Sequence, residues 1–273
     1  MKNSPRETTT GIRSVLRNGS HGTFVGLLAA LYVGHVTIVS AQIDASLKPL
    51  LNTQGAQAGL KGCLNRGLYV NGPHTLTTTT YTTASKPYWD TMFSDTVSTA
   101  YHYNVLKVSD DGVSEVDVKR TVNSSSRSSA ITSVLHYELE GHQLRLVGPN
   151  RNTQNPNAYV EHFDLEEGVE IPQTINAGTD ASPIVFTRLD TYRGREEINI
   201  EGRAMKACRV DSLLTADAQP PKFRRWSLSS TWYAVGTGLT LQVESTTHPD
   251  SEQDTLLETK VMTAAELNGV KLF

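Results

Sequence analysis

The chain has 273 residues, a formal net charge of −3 and two cysteines. This length suits one domain, or one domain with a long insertion, and it can bury a core without metals or many disulfides. Four basic residues and one acidic residue precede position 42, so residues 42–273 carry a charge of −6. Such a surface repels nucleic acid and gives no electrostatic reason to dock on anionic lipid.

An uncharged stretch from Thr23 to Ala41 follows the basic leader. A positive leader, an apolar core and small residues at its end are typical of a secretory signal peptide, residues 1–41. We therefore expect cleavage after Ala41 and a periplasmic or otherwise exported protein. The alternative is an uncleaved inner-membrane anchor, because a run of this length is about long enough to cross a bilayer as a helix.

Residues 42–62 have weak periodicity, which predicts a linker or a short helix, and residues 63–273 then form the folded domain. Both cysteines, Cys63 and Cys208, belong to the exported part. An oxidising compartment allows them to pair as a structural disulfide. The alternative is two buried thiols that do not pair.

The first half of the domain reads as antiparallel β-structure. Leu64–Val70 is a candidate strand, and the threonine-rich segment His74–Thr83 is interpreted as a surface strand, since β-branched side chains fit a pleated sheet. Two hairpins follow, at Ser98–Asn123 with a turn at Asp110-Asp111-Gly112, and at Ile131–Gly148. Alternation of apolar and polar residues in both predicts one buried face and a meander.

The second half continues the pattern with longer loops. Glu166–Ser182 reads as an irregular acidic loop, Arg193–Arg195 as a turn, and Thr263–Leu267 as one helical turn with capping-box spacing. Gly236 and Gly238 are interpreted either as a point where a strand bends or as ordinary loop glycines. Further strands are expected at Ala158–Leu165, Pro183–Tyr192, Glu197–Ile200, Ala204–Leu213, Arg224–Tyr233, Leu239–Ser245 and Thr255–Val261.

Residues 192–267 carry a set of glycines, acidic residues and aromatics in a recognisable order. They are Gly194, Glu196, Glu197, Gly202, Cys208, Arg209, Val210, Trp232, Tyr233, Ala234, Gly236, Gly238 and Leu239. This order resembles an uncharacterised family of bacterial envelope proteins that are similar in fold to periplasmic lipoprotein carriers. The resemblance implies a half or nearly closed barrel with a short helix on its concave side, a hollow that binds acyl chains in the carriers.

Motifs for catalysis or metal binding are absent from the sequence. The histidines after the leader lack metal-ligand spacing, and there is no Gly-x-Ser-x-Gly elbow or glycine-rich phosphate loop. We therefore expect no enzyme activity, no cofactor and no metal. A hydrolase with its site assembled from distant strands is an alternative that nothing local supports.

The sequence thus predicts a mainly β fold, a curved antiparallel sheet with one or two short helices. The predicted function is that of a non-enzymatic envelope protein whose concave face binds an apolar or lipid-like ligand. The alternative is a structural or partner-binding envelope protein with a filled core, which contacts another envelope protein through Pro149–Asn157 and Glu166–Ser182. The candidate ligand-binding residues are Tyr101, Tyr103, Tyr137, Leu139, Trp232 and Leu239.

Overall fold

A computed structural model describes residues 59–110, 113–148, 160–179, 182–217, 225–248 and 255–273. The predicted signal segment Thr23–Ala41, most of the predicted linker and the predicted loop Pro149–Asn157 lie outside the described residues. Within these ranges, no helix has the length and apolar character needed to cross a membrane.

Thirteen strands and one short helix, α1, make up most of the described residues, with single 3₁₀ turns at Leu60–Gly62 and Pro87–Trp89. Helix α1 is Gly67–Val70. The strands are β1 His74–Lys86, β2 Thr91–Val108, β3 Ser114–Ser124, β4 Ile131–Glu140, β5 Gln143–Gly148, β6 Val160–His162, β7 Glu170–Thr179, β8 Ser182–Ile200, β9 Arg203–Asp217, β10 Arg225–Ala234, β11 Thr240–His248, β12 Leu256–Leu267 and β13 Val270–Lys271.

The strands form one antiparallel sheet in the order β6-β5-β4-β3-β2-β1-β12-β11-β10-β9-β8-β7, with β13 paired to β12. The sheet curls into a nearly closed barrel, which confirms the predicted fold class. Its two edges, β6 and β7, meet through a side chain: the Gln173 amide donates to the Val160 carbonyl at 2.6 Å and accepts from the Val160 N–H at 3.2 Å. At this seam, hydrogen bonds to the Gln173 side chain therefore replace the backbone hydrogen bonds that join the other strands.

The two ends of the barrel differ. At the end that we call the closed end, α1 lies against the end of β2 and the start of β3, and the Ser114 hydroxyl donates to the Tyr69 carbonyl at 2.8 Å. At the other end, which we call the open end, the β1–β2 connection projects through the Pro87–Trp89 turn. The register of β1 with β2 and β12 places Ala84, Phe93 and Glu258 together at this open end.

A disulfide between Cys63 and Cys208 ties the N-terminal segment to β9, with Cα atoms 6.0 Å apart. Around it lies a buried cluster that includes Leu60, Leu64 and Val210. A second cluster fills the closed end and contains Leu76, Leu241, Met262 and Leu267 among others. The segment 59–70 is therefore an inner layer that packs against the sheet and not a free linker.

The predicted strand Leu64–Val70 is wrong, because this segment turns into α1. The Asn65 side-chain oxygen accepts from the Gly67 N–H at 3.0 Å, which favours a turn there. Leu68 is buried against the sheet. The apolar spacing of the segment fits one face of a helix as well as a strand. The helix forms because it packs Leu68 against the closed end of the barrel.

The predicted turn at Arg193–Arg195 is also wrong, because β8 runs without a break and carries a bulge. Its register with β9 shifts between Tyr192 and Gly194, and Gly194 has a φ of +101°. A bulge bends its strand and increases the local twist. Tyr192 joins the cluster around the disulfide, whereas Ile200 joins the cluster at the closed end.

Two further elements differ from the sequence interpretation, and one alternative that the sequence left open is decided. Glu166–Ser182 contains β7, and its Pro172 is tolerated because β7 is an edge strand, where a missing N–H breaks no ladder. Thr263–Leu267 is the end of β12, held by pairing with Leu76–Thr79 on β1. Gly236 and Gly238 lie in the tight turn between β10 and β11, so they are turn glycines.

We expect Gly238→Ala to destabilise the protein more than Gly269→Ala. Both glycines have positive φ, near +68° and +80°, so both variants carry the same backbone strain of about 1–2 kcal/mol. A Cβ at Gly238 would also overlap the Asn65 backbone nitrogen and lie 2.9 Å from the Cys63 carbonyl oxygen, whereas a Cβ at Gly269 meets nothing within 4 Å. Urea unfolding should show an extra loss of about 2 kcal/mol for Gly238→Ala. Equal losses would contradict this packing.

Replacing both cysteines by alanine should lower the free energy of unfolding by about 3–5 kcal/mol, because the disulfide closes a loop with a sequence separation of 145. Urea unfolding of the double variant against the wild type measures the loss. Wild type treated with a reductant should fall to the same value, since it lacks the same crosslink. Unchanged stability in both samples would show that the crosslink is not stabilising.

Candidate functional site

A cavity of about 830 Å³ lies inside the barrel, between α1 and the open end. Sites for small organic ligands typically occupy about 300–1,000 Å³, so this cavity has the size of a ligand site. Its wall comes from both halves of the chain, because β1 and β2 lie next to β12 and β11 in the sheet.

Cross-strand register explains which side chains reach the cavity. Residues that pair across neighbouring strands share a face, and successive residues on one strand alternate. Thr78 pairs with Thr99, Thr80 with Val97, and Thr82 with Asp95, and all six line the cavity. The interpretation of the threonine run as a surface strand is therefore wrong for its even-numbered residues. A run of identical residues has no polar–apolar contrast, so the sequence does not reveal its inward face.

The part of the cavity next to the closed end is apolar. Leu241 and Met262 are almost fully buried there, at 0% and 1% exposure, and Leu76 lies beside them. Leu68 from α1 and Leu239 from the β10–β11 turn complete this apolar floor.

Tyrosines form one wall above the floor. The Tyr69 ring meets the rings of Tyr103 and Tyr137 edge to face, with centroids 5.7 Å apart in both pairs. Tyr101 lies beside Tyr103, with centroids 6.3 Å apart. Such pairs each contribute about 0.5–1.5 kcal/mol beyond burial, which holds the wall in place.

Burial changes the acid–base behaviour of these phenols. Desolvation raises the pKa of Tyr69 and of Tyr103 well above the usual value, and it raises the pKa of Tyr137 to about 12. The nearby Glu161 carboxylate acts in the same direction on Tyr137. The three hydroxyls therefore stay protonated at any physiological pH.

Charged and hydroxyl groups surround the cavity near the open end. The Lys260 ammonium lies 2.7 Å from the Glu258 carboxylate, and Arg120 reaches the same cavity from β3. The Asp95 carboxylate accepts hydrogen bonds from Ser124, from the Ser125 hydroxyl at 2.6 Å and from the Ser126 hydroxyl at 2.9 Å. The Ser124 hydroxyl and its neighbours hold the pKa of Asp95 well below its usual range, so this carboxylate stays ionised.

Four of the six predicted ligand-binding residues line the cavity: Tyr101, Tyr103, Tyr137 and Leu239. Leu139 is fully buried in the cluster around the disulfide and does not line the cavity. Trp232 does not line it either: its indole N–H donates to the Glu196 carboxylate, and the Arg209 guanidinium lies 5.3 Å from its ring centroid.

Several lining residues escaped the sequence analysis. Tyr69 is one, because its segment was interpreted as a strand, and Lys260 is another, because charged residues are expected on the wet face of a strand. The inward threonines complete this group. These lining residues can be identified only from the register between neighbouring strands, which the sequence does not reveal. Among the described residues, no three His, Cys, Asp or Glu side chains gather as a metal site would need.

Comparison with known proteins gives structural matches only. No family model matches the chain, and neither does any curated protein. A "putative lipoprotein" from Parabacteroides distasonis ATCC 8503 has a TM-score of 0.44 and 11% identity over 73% of this chain and 98% of its own. A "putative exported protein with YmcC-like fold" from Bacteroides fragilis NCTC 9343 has a TM-score of 0.37 and 11% identity over 72% of this chain and 96% of its own.

The "hypothetical lipoprotein YmcC" from Escherichia coli K12 has a TM-score of 0.34 and 13% identity, covering 70% of this chain and 86% of its own. At such TM-scores the likeness carries no argument about function. The proposed function therefore rests on the properties of the cavity.

We expect His74 to make stability depend on pH. The ring is 4% exposed, stacks on Tyr103 with centroids 4.7 Å apart, and neither nitrogen has a partner among the described residues. Desolvation lowers the pKa of His74, and the nearby Asn71 backbone offsets only part of this. The unfolded chain therefore binds the proton more tightly, so stability is full above about pH 6.5 and falls as the pH drops below that value.

His74→Phe keeps an aromatic ring on Tyr103 and removes the proton site. Its free energy of unfolding should fall less between about pH 7 and about pH 5 than that of the wild type. The exposed His142, changed to Gln, is the control and should leave the profile as it is. Parallel profiles for wild type and His74→Phe would contradict this account.

Proposed function

We propose that this is an exported, non-enzymatic protein of the bacterial envelope that binds a lipid-like, amphipathic molecule in its cavity. The single observation that carries the proposal is the polarity gradient of an 830 Å³ cavity. Leucines and a methionine line its closed end, and charged and hydroxyl side chains surround its open end. A ligand with one apolar and one polar end matches both regions at once.

The gradient also sets the orientation of the ligand. The apolar part would lie on the floor near Leu76 and Met262, where its transfer from water contributes about 25 cal/mol per Å² of surface buried. The polar part would lie near Lys260 and Asp95, whose charges stay hydrated at the open end. Between them the buried tyrosine hydroxyls can donate hydrogen bonds to a carbonyl or ester oxygen.

The non-enzymatic role is proposed because charged side chains of the cavity wall have partners within the protein. Three of these charged side chains have close partners: Lys260 contacts Glu258, and Asp95 accepts hydrogen bonds from serines. A general base or nucleophile needs a free electron pair aimed at the substrate. The sequence-based alternative of a filled core fits poorly with the size of the cavity.

Export is supported by the leader and by the disulfide. The segment Thr23–Ala41 has the composition of a secretory signal, and disulfides persist in oxidising compartments. The Cys63–Cys208 pair fixes one end of the cavity, so an export route that forms disulfides would also complete the site.

Native mass spectrometry of protein recovered from bacterial envelopes tests the proposal. We expect a bound mass that organic solvent extracts and that tandem fragmentation identifies as an acyl-chain compound. Protein that carries no ligand, and that takes up none from added lipid, would refute the proposal.

Thr80→Phe should weaken binding of a dansyl-labelled undecanoic acid more than tenfold. Thr80 faces the middle of the cavity, so the phenyl ring would occupy the space of the ligand. The control is Thr79→Phe, the same change on the neighbouring residue, which does not line the cavity and faces the opposite side of β1. Fluorescence titration measures both. Equal affinities for the two variants would place the probe outside the cavity.

A further inference from the structure

A row of exposed apolar side chains crosses the outer face of the sheet near the open end. The register connects it strand by strand: Leu213 pairs with Leu228, Leu228 with Thr246, Thr246 with Leu257, Leu257 with Ser85, and Ser85 with Met92. We call the apolar members of this row, together with Trp89 at the β1–β2 turn, the collar: Leu213, Leu228, Leu257, Met92 and Trp89.

Every collar residue is exposed. Trp89 is 58% and Met92 79% exposed, and the three leucines are 37–46% exposed. The next outward row toward the closed end is polar and acidic, and consists of Asp211, Ser230, Glu244, Thr259 and Thr83. The collar is therefore an apolar row with a polar border on the side of the closed end.

The dimensions of the collar decide what can cover it. It crosses six strands from β9 to β2, which is about 24 Å at a spacing of about 4.8 Å, and it is one row deep, about 7 Å along the strand. The resulting area of about 170 Å² is far below the roughly 800 Å² that each partner contributes to a stable protein interface. Shallow contact with a bilayer needs only a few apolar side chains that enter about 5–10 Å.

The chemistry of the collar also suits a bilayer surface. Trp89 has an apolar ring and a polar N–H, the combination that is enriched where hydrocarbon meets headgroups. The exposed Asp90 beside it keeps this tip at headgroup depth. The acidic border and the charge of −6 on residues 42–273 mean that anionic lipid does not attract this face.

We propose that the collar docks the open end of the barrel on a zwitterionic lipid bilayer through apolar contact. The proposal stands on the outer surface and does not require an occupied cavity. It has a consequence for the cavity, because Phe93 lines the cavity and is 54% exposed next to Met92. Docking would bring the mouth of the cavity against the membrane, so that a lipid-like molecule could pass directly between the bilayer and the cavity.

Tryptophan quenching by phosphatidylcholine vesicles with brominated acyl chains tests the proposal on the exported protein. The collar variant is Met92→Ser, Leu228→Ser, Leu257→Ser. The matched control is Val108→Ser, Val169→Ser, Val270→Ser, three exposed valines away from the open end, with exposures of 37–55%. We expect quenching in the wild type and the control, and a loss of more than tenfold in the apparent partition coefficient of the collar variant.

A second variant assigns the signal. The chain has three tryptophans, and Trp232 is buried. Trp89→Phe with Trp226→Phe leaves only this buried indole and should show no quenching, whereas Trp226→Phe alone keeps Trp89 and should be quenched like the wild type. Equal quenching in the collar variant, or equal loss in the control, overturns the proposal. So does quenching that requires added phosphatidylglycerol, or a dimer in sedimentation that only the collar variant loses. None of these outcomes bears on whether the cavity holds a ligand.

Discussion

The crosslink between Cys63 and Cys208 holds the segment 59–70 against the inside of the sheet, and the cavity depends on this placement. The β10–β11 turn supports the segment from the other side, where the Gly236 N–H donates to the Gly62 carbonyl at 2.9 Å. With α1 in place, the barrel has a closed, apolar end and a separate, open end. Without it, the apolar floor of the cavity would lose the cover that Leu68 provides.

The two ends of the barrel differ in the polarity of both the inward-facing and the outward-facing residues, which alternate along each strand. The inward-facing residues are Leu76 and Met262 near α1, and Lys260 and Glu258 at the open end. On the outer face, the polar row that includes Asp211 and Thr83 is followed toward the open end by the apolar collar. The interior therefore becomes more polar toward the open end, whereas the outer face of strands β9 to β2 carries its apolar collar there.

The sequence predicted the fold class because alternation and turn residues are local signals. The β2–β3 and β4–β5 hairpins and the β10 strand lie where those signals placed them. The errors arose where distant contacts decide. Thr263–Leu267 has capping-box spacing but pairs with β1, nearly 190 residues away. Gly194 is typical of a turn but lies in a bulge within β8. The candidate site was half predictable: aromatic alternation found Tyr101, Tyr103 and Tyr137, whereas Thr80 and Lys260 needed the register between β1 and β12.

The seam between β6 and β7 offers a reason why the barrel stops short of full closure. Val160 bonds to the Gln173 side chain and not to the β7 backbone, so the two edges are held apart by the length of an amide side chain. Glu161, next to Val160, lines the cavity, so a carboxyl group lies on the wall at the seam. Full backbone pairing would draw β6 inward and narrow the space beside the tyrosines. A side-chain bridge keeps the sheet edges satisfied and leaves the cavity its width.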